Sequence, residues 1–208
     1  MKYLYAAILS LLILNATAQK KVGLAIKLGG GLAAQDVDNK DVISATSTSS
    51  YNFGGMAMIR FRDQWELQTG LEIATKGSFI TEDALTTNQH AVFIDLPVSL
   101  ARNFEVPGLG YYYLGAGGYA AVGVGGHNTF ETPPSQTRNA VSYGADGDLQ
   151  RYDAGLNFTT GLKLDNHLLF DVSYQIGLIN LATTTLKSTG TNAVKNRLIT
   201  VSLGYVFR

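Results

Sequence analysis

Hydrophobic and polar residues alternate along most of this chain with the period of two that is typical of β-strands. The segment 65–79 shows the alternation most clearly. Its apolar face comprises Trp65, Leu67, Leu71, Ile73 and Phe79, and its polar face comprises Glu66, Gln68, Glu72, Lys76 and Ser78. This segment is longer than the usual strand of a globular domain and suits a tilted strand that crosses a bilayer of roughly 30 Å. Because a soluble sandwich would show the same alternation, the pattern alone does not choose between the two.

The same pattern predicts eight strands along the chain. They cover approximately residues 22–33, 50–61, 65–79, 90–101, 111–124, 150–164, 168–181 and 197–207. Strand five has apolar residues on both faces, and we favour the face with Leu114, Ala120, Val122 and Val124 as the outward one. We therefore predict an all-β fold, an eight-stranded antiparallel up-and-down transmembrane β-barrel.

The lengths of the connections support a membrane barrel. The first, third, fifth and seventh connections are long or medium (34–49, 80–89, 125–149 and 182–196), whereas the others are short (62–64, 102–110 and 165–167). In bacterial outer-membrane barrels the odd connections are extracellular and long, and the even ones are tight periplasmic turns. Every odd connection of this chain is long or medium and every even one is short, as in those barrels. This agreement predicts the outer membrane as the location.

The N-terminus has the features of an export signal. Lys2 precedes an apolar run from Leu4 to Leu14, which is followed by the small-residue pattern Ala16-Thr17-Ala18. These features predict a secretory signal peptide over residues 1–18 and a barrel domain over residues 19–208. The chain has no Cys, so neither a lipid anchor at the cleavage site nor a disulfide framework is expected.

Charge patterning predicts a packed barrel interior. The chain has 16 basic and 16 acidic residues without a Lys/Arg-rich block, so no nucleic-acid partner is predicted. The predicted inward positions carry both signs of charge: Lys27, Arg60, Lys76, Arg151, Lys163, Glu66, Glu72, Asp95, Asp153 and Asp171. An eight-stranded barrel is only wide enough for its own side chains. We therefore expect these charges to form a paired plug rather than a wide pore.

Aromatic residues are expected at both membrane interfaces, where Trp, Tyr and Phe form girdles. At the predicted periplasmic strand ends these are Phe61, Trp65, Phe170 and Phe207, and at the opposite ends they are Tyr51, Phe53, Phe79 and Tyr152. Pro97 falls inside a predicted strand, where it removes a ladder donor and predicts a bulge.

Three passages carry a family resemblance, and they occur in a characteristic order. They are Phe93-Ile94-Asp95-Leu96-Pro97-Val98-Ser99-Leu100, then Tyr113-Leu114-Gly115-Ala116-Gly117-Gly118-Tyr119, then Arg151-Tyr152-Asp153-Ala154-Gly155-Leu156 leading to Tyr174-Gln175-Ile176-Gly177-Leu178-Ile179-Asn180. Together they resemble the PorT-like outer-membrane β-barrel family of Bacteroidota. The resemblance covers nearly the whole chain after the signal peptide and implies a small outer-membrane barrel, sometimes linked to protein secretion. The chain departs from many such barrels in ending on Arg208, with Phe207 penultimate.

Catalytic, metal and cofactor signatures are not found. His90 and His127 flank predicted extracellular loops and could approach each other near Ser78, Glu82 or Asp83, but no nucleophile and base pattern is present. The Asp146-Gly147-Asp148 segment is too short to indicate a calcium loop, and the glycine-rich segments lack the following helix that a phosphate site needs. No catalytic, metal or cofactor-binding residue is therefore assigned.

Three functions remain open at this point. The first is a non-enzymatic outer-membrane scaffold that binds a partner through loops 34–49, 125–149 and 182–196 or through its periplasmic face, since loops carry most binding sites. The second is a rim enzyme that uses His90 or His127 on lipid or protein. The third is an exported soluble barrel with an internal ligand pocket, for which the charged inner faces are poorly suited.

Overall fold

The computed structural model describes residues 22–39, 44–82, 85–132 and 135–207. The predicted signal peptide, residues 1–18, lies outside these ranges. Within them, no helix is long and apolar enough to cross a membrane.

The described part of the chain is almost entirely β-structure. Its strands are β1 (Val22–Asp38), β2 (Ser44–Thr46), β3 (Thr48–Arg62), β4 (Trp65–Lys76), β5 (Phe79–Glu82), β6 (Leu85–Val106), β7 (Gly110–Thr132), β8 (Ser135–Ala140), β9 (Tyr152–Leu164), β10 (Leu168–Gly177) and β11 (Ala193–Phe207). One short helix, α1 (Thr184–Ser188), precedes β11 and is capped by the Thr183 side chain, which accepts from the Leu186 amide.

Eight of these strands form a closed antiparallel ring. The order around the ring is β1, β3, β4, β6, β7, β9, β10 and β11, and β11 pairs back to β1. The closing pair runs from Leu24 opposite Phe207 to Asp38 opposite Ala193. Closure leaves no exposed sheet edge along the wall, because every strand of the ring has two neighbours. The predicted eight-stranded up-and-down barrel is confirmed.

The two ends of the barrel differ in their connections. Short turns join β3 to β4, β6 to β7 and β9 to β10 at one end, called the short-turn end here, where Val22 and Phe207 also lie. The other end, called the long-loop end, carries β2, β5, β8, α1 and the segment 141–151. In the short turn before β10, His167 adopts a left-handed conformation with φ of 74°, and its Nδ1 lies 3.0 Å from the Val206 carbonyl oxygen.

The two faces of the wall are chemically opposite, as the alternation predicts. Leu28, Leu71 and Val201 point outward and are more than half exposed, whereas Lys27, Asp95 and Asp171 point inward and are buried. Strand β7 follows the favoured assignment, with Leu114 and Val124 exposed and Tyr113 and Tyr119 buried inside. The outer surface is thus a continuous apolar band around a polar interior.

Outward aromatic residues border this band at both ends. Phe61, Phe170 and Phe207 are exposed toward the short-turn end, and Trp65 there is half-buried beside the Arg102 guanidinium. Tyr51, Phe53 and Tyr152 are exposed toward the long-loop end. Phe79 also lies at the long-loop end, as predicted, and is half-buried in β5.

The strands are longer at the long-loop end than their alternation predicts. β6 begins at Leu85 rather than at residue 90, and β7 continues to Thr132 rather than ending at residue 124. These extensions pair with each other and with β5 and β8, so Thr- and Asn-rich segments that lack an apolar face still form ladders. In contrast, β10 ends at Gly177 rather than at residue 181, because the chain turns inward and buries Leu181 in the barrel mouth.

The bulge predicted at Pro97 does not form. Ladder pairs between β4 and β6 are missing opposite Pro97, but the register is the same on both sides, from Thr69 opposite Val98 to Glu72 opposite Asp95. The Thr69 hydroxyl donates a hydrogen bond to the Pro97 carbonyl at 3.0 Å, so a side chain bridges the gap in the ladder. The register shift of β6 lies instead between Val92 and Phe93, against β7.

Glycine in the strands permits close packing inside the narrow barrel. A Cβ atom on Gly31 would lie 1.8 Å from the Ile199 carbonyl oxygen of β11, and one on Gly155 would lie 2.0 Å from the Ile176 carbonyl oxygen. Both contacts are with backbone atoms that cannot yield without breaking the ladder.

Candidate functional site

The barrel interior near the short-turn end is filled by a lysine-centred cluster. The Lys163 ammonium lies 2.6 Å from Glu66 Oε1 and also donates to Asn103 Oδ1. The Gln68 amide donates to the same Glu66 oxygen at 2.8 Å. All four side chains are buried, so the charge of the lysine is compensated within the lumen.

A second cluster occupies the middle of the barrel. Lys27 lies 2.7 Å from Asp171 and 2.9 Å from Glu72, which places one ammonium between two carboxylates. Asp171 also accepts hydrogen bonds from the Tyr113 hydroxyl at 2.6 Å and from the Thr159 hydroxyl at 2.8 Å. These contacts cross the lumen from β1 to β10, β4, β7 and β9 and therefore tie five strands together.

A third cluster lies toward the long-loop end. Lys76 Nζ is 2.9 Å from Asp95 Oδ2 and 3.5 Å from Asp153 Oδ2. The Tyr119 hydroxyl and the Asn196 amide donate to Asp153 at 3.0 and 2.9 Å. The ammonium also lies 4.2 Å from the centroid of the Tyr119 ring, a cation–π distance.

Eight of the ten predicted lumen charges belong to these clusters, and the predicted paired plug is confirmed. Arg60 lies on the inward face as predicted, opposite the buried Glu66, but joins none of these clusters, whereas the prediction is wrong for Arg151. Arg60 is half-buried near the short-turn end with its guanidinium 5.3 Å from the centre of the Tyr111 ring, and Arg151 is exposed just before β9. Both residues lie at strand ends, where a long side chain reaches water while its stem packs on the protein.

The space left between the clusters is small. A cavity of about 20 Å³ lies among Lys27, Glu72, Ser99, Asn157 and Gln175. Such a volume holds about one water molecule. Within the described residues the lumen is therefore packed rather than open.

An amide network and an apolar cluster close the barrel at the long-loop end. The Gln35 amide donates to Gln89 Oε1 at 2.9 Å and to Asn196 Oδ1 at 3.2 Å, and it accepts from the Ser78 hydroxyl at 2.8 Å. Beside it lie buried apolar side chains of the loops and strands: Ala91, Phe93, Tyr119, Ala121, Leu149, Leu181, Ala182 and Val194.

The segment 141–151 is anchored to this apolar cluster. Tyr143 packs edge-on against Phe93, with ring centroids 5.7 Å apart, and donates its hydroxyl to the Gly125 carbonyl at 2.8 Å. Burial raises the pKa of the Tyr143 hydroxyl, which therefore stays protonated as a donor. Asp148 accepts from the amide and the hydroxyl of Ser142 at 2.7 and 2.9 Å, so this carboxylate closes a turn.

His90 and His127 come together, as the sequence suggested. They are opposite each other on β6 and β7, and their rings stack with centroids 5.2 Å apart. Both lie beyond the outward apolar band, which ends at Ile94 on β6 and at Val124 on β7. Partial burial lowers the pKa of both imidazoles, and the charges of His127 and Arg138 lower that of His90 further.

Of the acid–base partners suggested for these histidines, Ser78 does not join them. Ser78 donates to Gln35, and His90 Nε2 lies 3.3 Å from the Thr48 hydroxyl. Asp83 and the side chain of Glu82 lie outside the described residues. In the described ranges no group of three or more His, Asp or Glu side chains is arranged to hold a metal ion.

A five-stranded sheet extends along the long-loop end, in the order β2-β5-β6-β7-β8. It consists of the extensions of β6 and β7 with β5 and β2 on one side and β8 on the other. All six side chains of β8 are exposed. Among the described strands β8 pairs with β7 alone, so its other edge presents unpaired backbone groups.

Comparison with solved structures finds small outer-membrane barrels. Ail of Yersinia pestis is 14% identical with a TM-score of 0.39 and covers 90% of this chain and 99% of its own. Neisserial surface protein A is 14% identical with a TM-score of 0.49, over 88% of this chain and 97% of that chain. OprG of Pseudomonas aeruginosa is 18% identical with a TM-score of 0.37, over 90% and 97%. No curated protein matches the sequence significantly.

A family model provides the stronger comparison. The model described as the outer membrane protein beta-barrel domain matches residues 17–183, well over half of the chain. This match agrees with the closed eight-stranded ring, the outward apolar band and the polar interior. The protein is accordingly a barrel of the bacterial outer membrane, and the chain belongs to the outer membrane protein beta-barrel domain family.

Proposed function

We propose that this protein is a non-enzymatic, non-conducting outer-membrane barrel that binds a protein partner at its long-loop end. That end faces the cell exterior in barrels whose termini and short turns face the periplasm. The observation that carries the proposal is the exposed edge strand β8. It lies within the loop 125–149 that the sequence marked as a candidate binding segment.

An exposed edge strand recognises a partner by a defined mechanism. Its free N–H and C=O groups pair with an extended segment of another chain, which adds a strand to the sheet. Arg138 in the middle of β8 adds a positive charge, and none of the β8 side chains is committed to the interior. The partner expected at this edge is therefore an extended protein segment, not a small solute.

The packed lumen supports the non-conducting part of the proposal. Lys27, Lys76 and Lys163 are each held between acceptors that reach across the barrel from different strands. A solute path would require these buried ion pairs to separate without new partners, which is costly in a low-dielectric interior.

We further propose that residues 1–18 are a cleaved signal peptide and that residues 19–208 form the barrel domain. The PorT-like resemblance in strands β6, β7, β9 and β10 supports membership of that subgroup, with a role linked to protein secretion. Both proposals rest on the sequence patterns given above.

The two alternative functions have less support. A rim enzyme would need an acid–base partner for the imidazoles, and Ser78 is committed to Gln35 instead. Loss of an envelope hydrolase activity in His90→Ala or His127→Ala would restore that alternative. A soluble ligand-binding barrel is contradicted by the outward apolar band and by the outer-membrane family.

Site-directed photo-crosslinking in the native host tests the partner-binding proposal. A benzophenone amino acid is placed at Thr137 on β8, and the matched control is the same amino acid at Lys187, exposed on α1 at the same end. We expect a discrete protein adduct from position 137 and none from position 187. Equal adducts at both positions, or none at either, would contradict recognition through the β8 edge.

A further inference from the structure

A second cavity lies in the mouth of the barrel and is much larger than the one in the lumen. Its volume is about 220 Å³, and it is bounded by β1, β5, β6, β7, β11, α1 and the segment 141–151. For comparison, an apolar cavity of roughly 150 Å³ accommodates benzene. The mouth cavity thus has room for a small organic molecule.

Six of the twelve described residues that line this cavity are apolar: Val37, Ile80, Phe130, Leu149, Leu186 and Val194. Leu149 and Val194 are buried members of the apolar cluster that closes the barrel, and Leu186 packs against that cluster from α1. The six apolar residues come from six separate segments, so the cavity depends on the assembled fold.

Three side-chain amides, two threonines (Thr87 and Thr191) and Asp148 form the polar part of the lining. Gln35, Gln89 and Asn128 border the cavity, and Gln35 is held in place by its bonds to Gln89, Asn196 and Ser78. Asn128 is only 4% exposed, yet its Oδ1 has no hydrogen-bond partner within the described residues. A buried carbonyl oxygen without a donor is rare, because leaving it unpaired costs free energy.

The charges around the cavity limit what it can hold. Asp148 is the one charged residue among the described residues that line it, and this carboxylate already accepts two hydrogen bonds from Ser142. Because the described lining residues include no lysine or arginine, an anionic ligand would find no counter-charge among them and would be repelled by Asp148. A cation would have to compete with the Ser142 contacts.

We propose that the mouth cavity binds a small neutral amphipathic molecule whose O–H or N–H group donates to Asn128. The apolar part of the ligand would contact Leu149, Leu186 and Val194. This site is separate from the β8 edge, so the inference goes beyond partner binding. Ligand binding in the cavity and partner binding at β8 can be tested independently.

Methyl NMR of the folded barrel in lipid nanodiscs tests this inference. Leu and Val methyl groups are labelled, and four probes of one size are titrated: benzyl alcohol, toluene, benzoate and benzylamine. We expect saturable shifts of the Leu149 and Val194 methyl signals, with benzyl alcohol binding more tightly than the other three. Shifts that increase linearly with benzyl alcohol would show partition into lipid only and would overturn the proposal.

Variants distinguish binding in the cavity from partition into the surrounding bilayer. Leu186→Trp fills the cavity from α1 and should abolish the saturable shifts, whereas Lys187→Trp on the exposed side of α1 should retain them. Asn128→Leu should weaken benzyl alcohol binding roughly fivefold, the value of one neutral hydrogen bond, while leaving toluene binding unchanged. Asn139→Leu, opposite Asn128 on β8, is its matched control.

Two further outcomes would contradict the ligand class. If toluene bound as tightly as benzyl alcohol, the Asn128 amide would not contribute to ligand selection. If benzoate or benzylamine bound more tightly than benzyl alcohol, the cavity would prefer a charged ligand. Saturable benzyl alcohol binding that keeps its full affinity in both Leu186→Trp and Asn128→Leu would place the probe elsewhere. None of these results bears on the crosslinking at Thr137, which tests partner binding separately.

Discussion

At the scale of single residues, Lys76 shows how the barrel tolerates charge in its interior. Its ammonium has two carboxylates, Asp95 and Asp153, within 3.5 Å and two aromatic rings, Tyr119 and Phe93, within 5.3 Å. The side chain is fully buried, so these contacts replace its hydration. Removing the lysine would leave two buried carboxylates facing each other without a counter-charge.

We predict that Lys76→Met lowers the free energy of unfolding by about 3–5 kcal/mol, the usual cost of breaking a buried ion pair on one side. Urea unfolding of the barrel in lipid vesicles, followed by the fluorescence of Trp65, measures this change. The matched control is Arg197→Gln, which breaks the exposed Arg197–Asp36 pair and should cost about 0–1 kcal/mol.

A second variant tests the cause of that loss. Lys76→Met combined with Asp95→Asn and Asp153→Asn removes all three charges, and most of the lost stability should return. If Lys76→Met and Arg197→Gln lowered the free energy of unfolding by the same small amount, the lumen ion pairs would contribute no more to stability than surface pairs.

At the scale of elements, the extensions of β6 and β7 beyond the apolar band contain few apolar side chains. They pair through residues 86–91 of β6 and residues 126–131 of β7, and most of these side chains are polar. The stacked imidazoles of His90 and His127 lie at the base of these paired extensions, with Arg138 of β8 and Thr48 of β3 nearby. Protonation of either ring would place a positive charge beside Arg138, and protonation of both would place two positive charges beside each other.

We predict that acidification loosens this extension while the barrel wall stays folded. The folded-state pKa of both histidines is lowered, so the unfolded segment binds protons first as the pH falls below about 6.5. Stability is therefore full at neutral pH and declines toward pH 5. Hydrogen exchange of the amides of residues 86–91, corrected for intrinsic rates, measures this effect.

The double variant His90→Gln and His127→Gln serves as the control. It should remove the difference in amide protection between pH 7.5 and pH 5, because no imidazole remains to titrate. Protection that is the same at both pH values in the unmodified protein would contradict the prediction.

At the scale of the whole molecule, the protein is a closed β-barrel whose lumen is filled by side chains. The wall is a ring of eight strands, the interior is three lysine-centred clusters, and the mouth is closed by amides and apolar side chains. Residues distant in the chain meet across the lumen; Lys27 and Asp171, for example, are 144 positions apart. Folding should therefore be cooperative, since each cluster requires several strands in place.

We predict that the folded protein shows heat-modifiable migration in SDS electrophoresis and no steady conductance in planar bilayers. The first result follows from a closed ring that resists detergent until it is heated, and the second from the packed lumen. A large open porin inserted by the same procedure is the positive control for conductance. Stable open channels would mean that the lumen clusters rearrange in the membrane and that the non-conducting proposal is wrong.

The positions of strands and the faces of the wall could be read from the sequence. A strand presents alternate residues to opposite sides, so Leu28 and Val201 had to face lipid once Lys27 and Thr200 faced inward. The apolar alternation also identified eight strands and the parity of their connections. Where the alternation stops, prediction failed: the extensions of β6 and β7 carry polar residues on both faces and were taken as loops.

The pairing inside the barrel and the two sites at its mouth were decided by the tertiary structure alone. Composition showed that positive and negative groups would meet, but the choice of Asp171 and Glu72 for Lys27 depends on the stagger of strands around a closed ring. The mouth cavity likewise collects Gln35, Asn128 and Leu186 from distant segments. The sequence thus determined which residues face lipid and which face the lumen, because that choice depends on local periodicity. Ring closure determined which of them touch, because contacts across a barrel depend on its geometry.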